Sequence, residues 1–272
     1  MTPCDFCIEE ECGGGDRKGS CDCSTCDKRD LCPKVLRPTI RITTRCTQAC
    51  SHCCFTCSPK RNEMMSVEMS RTIAQFLKAN GIDTLNLMGG EIFCNPDWAE
   101  IVDILCEGCL HVRIVTNGDW VGTDFLDRLE AHREILKIAI SRDEWHTNTN
   151  IDAAAAECEA KGFNYKVTED GEMTTDSIVP AGRGDLYYGV YSSFGTYCTK
   201  PDRKYTFLID EAGEIYKCGF GAWGYANVSE HLEGDFGARF KFFNQKFYKC
   251  FISNCAGCQR AYRRALHENR AT

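Results

Sequence analysis

Residues 38–53 read PTIRITTRCTQACSHC: a β-like run from Thr39 to Thr44 empties into a loop carrying Cys46, Cys50 and Cys53. Beyond this loop the chain alternates helix and strand. Residues 66–81, SVEMSRTIAQFLKANG, read as a helix with Val67, Ile73, Ala74 and Leu77 toward one face and Asn80-Gly81 as its stop. A short apolar strand, IDTLNLMGG (82–90), runs into glycines. Asn95 and Pro96 then open a helix through Trp98, Ile101, Val102 and Leu105. HVRIVTNG (111–118), TDFLDRLEAHRE (123–134), ILKIAISRD (135–143), NIDAAAAECEAKG (150–162) and FNYKVTE (163–169) continue as strand, helix, strand, helix, strand. Such alternation implies parallel strands joined by helical crossovers. The expected fold is α/β, a partial (β/α)6 TIM-like barrel, with chemistry in the loops at the C-terminal strand ends.

Three units are expected: a Cys-rich N-terminal extension (1–37), the partial barrel (38–190) and a C-terminal module capping it (191–272). In the last, KYTFLIDEAGEIYKC (204–218) predicts a β-hairpin around Glu211-Ala212-Gly213, and aromatic residues crowd the stretch from Phe236 to Phe251. No apolar run approaches the ~20 residues of a membrane helix. The acidic, Cys-rich start lacks the basic and apolar parts of a signal peptide, so a cytoplasmic location is expected. A net charge of −7 disfavours a protein built mainly to hold nucleic acid. The arginines of QRAYRRALHENR (259–270) read as a solvated helix face.

The 21 cysteines carry the chemical signal. An odd total in a long chain without a secretion signal favours metal over a disulfide framework. Cys94, Cys106, Cys109 and Cys158 are scattered and read mostly as buried structural thiols. Cys46, Cys50 and Cys53 on one loop suit three irons of a 4Fe–4S cube with the fourth iron open. Spacing alone leaves open a zinc knuckle or ferredoxin-like site that recruits Cys54 or Cys57.

The segment TTRCTQACSHC resembles the signature of the radical S-adenosylmethionine (SAM) superfamily, including its place after the first barrel strand. His52 occupies a position often aromatic in that family. Further segments resemble the family's strand-end motifs in order. Gly89, Gly90 and Glu91 match the glycine-rich motif whose backbone and carboxylate bind the cofactor's ammonium. VTNG, with Asn117, matches the third strand end. Ser141 and Asp143 match polar positions near the ribose. SIVPAGRG (177–184), with Val179 and Arg183, matches the segment flanking the adenine. The order of these motifs over residues 39–184 is what separates this reading from a zinc-stabilised interaction protein or a non-catalytic iron–sulfur electron carrier.

The resemblance implies a 4Fe–4S cluster on Cys46, Cys50 and Cys53 that splits SAM reductively, giving a 5′-deoxyadenosyl radical that abstracts hydrogen from a substrate. Cys198, Gly213 and Cys218 resemble the opening half of a SPASM or twitch auxiliary-cluster module, with Cys255 and Cys258 as the remaining ligands and Cys250 unassigned. Four cysteine ligands leave no open iron, which favours electron transfer there. The N-terminal cysteines fit no standard family pattern. Cys21, Cys23, Cys26 and Cys32 form the densest set, for a third cluster or a zinc ion. The implied partners are a flavodoxin, ferredoxin or reductase as electron donor, and a small molecule, nucleoside or short peptide as substrate. The lack of room for a leader-binding winged-helix domain tilts that choice toward a small molecule. Glu144, Trp145 and His146 read either as substrate-facing residues or as a surface loop with a packed indole. Anaerobic reconstitution should give roughly eight irons per chain for two clusters and roughly twelve for three, with matching sulfide.

Overall fold

The computed structural model describes residues 36–143, 145–147, 150–168, 206–216, 224–234 and 236. Five strands run in parallel in the expected order: β1 (Arg37–Arg41), β2 (Thr84–Met88), β3 (His111–Thr116), β4 (Leu136–Ser141) and β5 (Asn164–Thr168). Between them lie α1 (Val67–Ala79), α2 (Trp98–Cys106), α3 (Phe125–Leu129) and α4 (Ile151–Ala160). The α/β expectation holds, and the sheet does not close into a barrel.

Helix α1 begins where Ser66 accepts a hydrogen bond from the Met69 amide and ends at Asn80, before Gly81 at φ +63°. Its buried face differs from the expected one: Ser70, Ile73, Phe76 and Leu77 point inward, while Val67 and Ala74 are half-buried. Phe76 dominates that face because it meets Phe236 edge to face, with ring centroids 5.0 Å apart. The third helix is shorter than its pattern, giving way after Leu129 to a 3-10 turn over Glu130–His132. The scattered thiols behave largely as expected: Cys106, Cys109 and Cys158 are buried, and Cys94 is half-buried. Among the described residues no helix is long and apolar enough to cross a membrane.

The predicted hairpin exists, as β6 (Thr206–Ile209) and β7 (Glu214–Tyr216), turning at Gly213 with φ +79°. Its placement corrects the expectation of a separate cap. Strand β6 pairs in parallel with β1, Arg37 to Ile40 against Thr206 to Ile209, so the hairpin extends the barrel sheet. With β8 (Gly224–Asn227), the order is β5-β4-β3-β2-β1-β6-β7-β8, and β1 lies inside the sheet with partners on both sides. The physical reason is that β1 would otherwise leave an edge of unpaired amides beside the cysteine loop. Residues 1–35, the segment 169–205 and the C-terminal residues from 237 lie outside the described part.

An ion pair reinforces this joint. Arg41, the last residue of β1, donates to Glu211 at 2.9 Å and lies 3.9 Å from Asp210. All three side chains are 9–13% exposed. Asp210 also accepts from the Ala212 and Glu214 amides and from the Tyr216 hydroxyl. Removing the cation leaves two carboxylates nearly dry. Arg41→Ala is expected to cost about 3 kcal/mol, read as a lower urea midpoint under anaerobic conditions; an unchanged midpoint would show the pair to be solvated.

Candidate functional site

Segment 42–66 leaves β1 and returns at α1, carrying five cysteines. Its neck is closed by backbone bonds from the Met65 amide to Ile42 O and from the Thr44 amide to Glu63 O, both 2.9 Å. The Asn95 side-chain amide donates to Ile42 O at 3.1 Å and Met65 O at 2.9 Å, clasping both ends of the neck. Asn95 is 1% exposed. The sequence suggested only that it opens a helix; no local pattern announces a side chain that serves two distant carbonyls.

Glycines let β2 approach the loop closely. The Gly90 amide donates to Thr43 O at 2.7 Å and the Glu91 amide to Arg45 O at 2.9 Å. A Cβ on Gly90 would sit 2.2 Å from Arg45 O and 2.7 Å from the Cys46 Cβ, and one on Gly89 2.9 Å from the Thr43 methyl. The glycines of this motif are therefore required by protein backbone before any ligand is considered.

Glu91 is fully buried and accepts from its own neighbour Ile92 (amide, 3.0 Å), from the Thr116 hydroxyl (2.9 Å) and from the Asn117 amide (2.8 Å). Its carboxylate thus ties the end of β2 to the end of β3. Burial pushes its pKa up to about 7, against the pull of those three donors.

Two of the expected cluster ligands contact Gln48. The Cys46 thiol accepts from the Gln48 amide (3.4 Å) and faces Asn117 Nδ2 (4.0 Å). The Cys50 thiol meets Gln48 Oε1 at 3.5 Å. Burial raises Cys46 to about 12, with the neighbouring Glu91, Cys50 and Cys53 adding to the shift. Three thiols on one loop, with N–H donors directed at one sulfur, fit a 4Fe–4S cluster, whose bonds to iron displace the thiol protons. Cys57 is buried behind Cys53, which with burial raises its pKa strongly. Arg41 sits under this part of the loop, its guanidinium 5.2 Å from the Phe55 ring centroid.

The β4 end completes the site. Ser141 is its last residue, half-buried. Asp143 accepts from the Trp145 and His146 amides and pairs with His146 Nδ1 at 2.8 Å, with His52 Nε2 at 3.9 Å. Burial opposes ionisation of Asp143, but His146 and His52 hold its carboxyl below the ordinary range. The His52 ring lies 5.3 Å from that of Trp145 and 5.0 Å from that of His146. The His–Asp–His ligand atoms fall within 4.8 Å of one another, a spacing these pairings already explain. Trp145 and His146 both pack against His52, and Glu144 lies outside the described residues.

Sequence reasoning missed Thr47, Gln48, Asp119 and Thr147, which join the loops. Thr47 Oγ1 and Gln48 Nε2 donate to Asp119, and Asn117 Nδ2 donates to Thr47 Oγ1. The faint signal was polar residues filling the gaps of the cysteine motif and following Asn117-Gly118. The expected residues Val179, Arg183, Cys198, Cys218, Cys255 and Cys258, and the N-terminal Cys21, Cys23, Cys26 and Cys32, lie outside the described residues.

Residues 40–150 match the Radical SAM superfamily. The antilisterial bacteriocin subtilosin biosynthesis protein AlbA of Bacillus subtilis (strain 168) is 33% identical over 111 residues, 41% of this chain and 25% of AlbA, so the match spans a quarter of that relative. The crystal structure of BtrN in complex with AdoMet and 2-DOIA is similar in fold, with a TM-score of 0.54 and 15% identity over 77% of this chain and 85% of that one. Streptococcus suis SuiB bound to precursor peptide SuiA gives a TM-score of 0.49 and 13% identity, covering 79% and 66% of the two chains.

The buried carboxyl makes a linkage prediction. A folded pKa near 7 lies above the ordinary 4.5, so folded Glu91 holds its proton more tightly than the unfolded chain does. Its stabilisation is complete below pH 4.5 and is lost as pH rises through 7. Denaturation midpoints of the metal-free protein between about pH 5 and 7 should fall more steeply for wild type than for Glu91→Gln; parallel profiles would refute the shift.

Proposed function

We propose that this chain is a radical SAM enzyme that cleaves SAM reductively and directs the resulting radical at a substrate, a reading supported by the match of residues 40–150 to the Radical SAM superfamily. The observation that carries this reading is the convergence of Cys46 and Cys50 on Gln48, beside the His52, Trp145 and Asp143 group at the β4 end. Cys46, Cys50 and Cys53 would hold a 4Fe–4S cluster there, and the chemistry it would supply is the electron for reductive cleavage of SAM.

The protein's own contribution is orientation. His52, packed against Trp145 and His146 beside the cysteine loop, supplies aromatic surface suited to a purine. Asp143, kept ionised by its histidine neighbours, suits a ribose hydroxyl. Ser141, Asn117 and the Gly89-Gly90 backbone line the intervening strand ends. Glu91 acts from behind, fixing the ends of β2 and β3.

In the same reading, Cys198, Cys218, Cys255 and Cys258 hold an auxiliary 4Fe–4S cluster that exchanges electrons with the substrate, and Cys21, Cys23, Cys26 and Cys32 hold a third metal site. A flavodoxin or ferredoxin supplies the electron. For the substrate, similarity to a protein of bacteriocin biosynthesis supports a short peptide over the small molecule expected from the sequence.

The test is anaerobic incubation of reconstituted protein with dithionite and SAM, assayed for 5′-deoxyadenosine. Turnover that disappears in Cys46→Ala, Cys50→Ala or Cys53→Ala is expected. Zinc in place of iron, or an iron-loaded protein that leaves SAM intact, would instead promote the scaffold or electron-carrier reading.

A further inference from the structure

One side chain in the cysteine loop bonds to both the loop after β3 and the loop after β4. Gln48 is 7% exposed and lies between the first two ligand cysteines. Its Nε2 donates to Asp119 Oδ2 at 3.1 Å, in the loop after β3. Its Oε1 accepts from the Thr147 amide at 3.0 Å and the Thr147 hydroxyl at 3.3 Å, in the loop after β4. The same oxygen meets Cys50, and its backbone amide meets Cys46.

We propose that Gln48 is a positioning residue for SAM: it clamps the cysteine loop to the β3 and β4 loops and so sets His52 against Trp145, His146 and Asp143. This rests on the proposed SAM-cleaving reading. The clamp outlasts cluster assembly. When Cys50 gives up its proton to bind iron, it no longer donates to Oε1, but the two Thr147 donors and the Asp119 acceptor remain. Those bonds join loops 71 and 99 positions apart in sequence, so neither the strands nor the cysteines themselves substitute for them. Thr147 follows His146 directly, so a shift of the β4 loop moves the imidazole that His52 faces.

The role separates from simple ligation. Outer partners of a metal site characteristically change affinity or activity by about 10–100-fold without removing the metal. Gln48→Leu keeps the bulk and deletes the bonds. Asp119→Ala removes the Nε2 acceptor from outside the cysteine loop, leaving every ligand cysteine in place. Gln48→Glu sets two carboxylates against each other, whereas adding Asp119→Asn restores a carboxylate–amide pair with the roles exchanged.

The experiment compares these variants with wild type for iron and sulfide content, KM for SAM against kcat for 5′-deoxyadenosine, and the change that SAM induces in the electron paramagnetic resonance spectrum of the reduced protein. Expected are wild-type iron, a KM for SAM raised about tenfold or more and a weakened SAM-induced spectral change in Gln48→Leu and Asp119→Ala. The two should be non-additive when combined, and the defect of Gln48→Glu should be rescued by adding Asp119→Asn. If Gln48→Leu fails to load iron, Asp119→Ala decides alone. Wild-type KM and spectrum in Asp119→Ala overturn the clamp. An iron-loaded wild type that SAM does not perturb overturns the parent reading, and the clamp with it.

Discussion

A buried asparagine holds the cysteine loop shut. Segment 42–66 is long, polar and poor in core residues, and such a segment orders only if its backbone groups find partners. Asn95 gives both amide hydrogens to the loop's two ends, at Ile42 and Met65, from the start of the next helical unit. Around that clasp the β2 end pairs onward with Thr43 and Arg45, at a separation only glycine permits. The position of Cys46, and with it of any cluster, follows from this closure.

Charge is balanced locally in the same way. Carboxylates stand at the ends of β2, β3, β4 and β6: Glu91, Asp119, Asp143 and Asp210. Each has its own partners, Glu91 in amides and a hydroxyl, Asp119 in Thr47 and Gln48, Asp143 in two histidines, Asp210 in Tyr216 and Arg41. A buried carboxylate without partners would be costly in itself and would add negative charge beside the cysteine loop. The protonation state of Glu91 is the balance point, since burial and hydrogen bonding pull it in opposite directions.

The hairpin gives the C-terminal part of the chain a direct purchase on this region. Strand β6 lies on β1, so the turn at Asp210 to Gly213 sits at the same end of the sheet as the cysteine loop. Arg41 makes the connection, paired with Glu211 on one side and over Phe55 on the other. Gly213 packs so closely on Met69 and Val228 that the turn is also seated on α1. An auxiliary module built on this hairpin would be mechanically continuous with the cysteine loop.

The strand and helix order was legible because parallel strands with amphipathic crossovers write short-range periodicity into the chain, as in the runs around Leu85, Ile114 and Ile138. The thiol trio was legible because its spacing is local. Periodicity misjudged the α1 face, since Phe76 is inward by virtue of Phe236, a residue from beyond the hairpin at the far side of the sheet order. Only the arrival of Thr116 and Asn117 makes Glu91 a strut. By itself, then, the sequence determined the element types and the strand order through β5. Tertiary structure decided that β6 joins β1, that Asn95 closes the loop and that Gln48 links it to two others, because each depends on atoms brought together across long separations that no local pattern encodes.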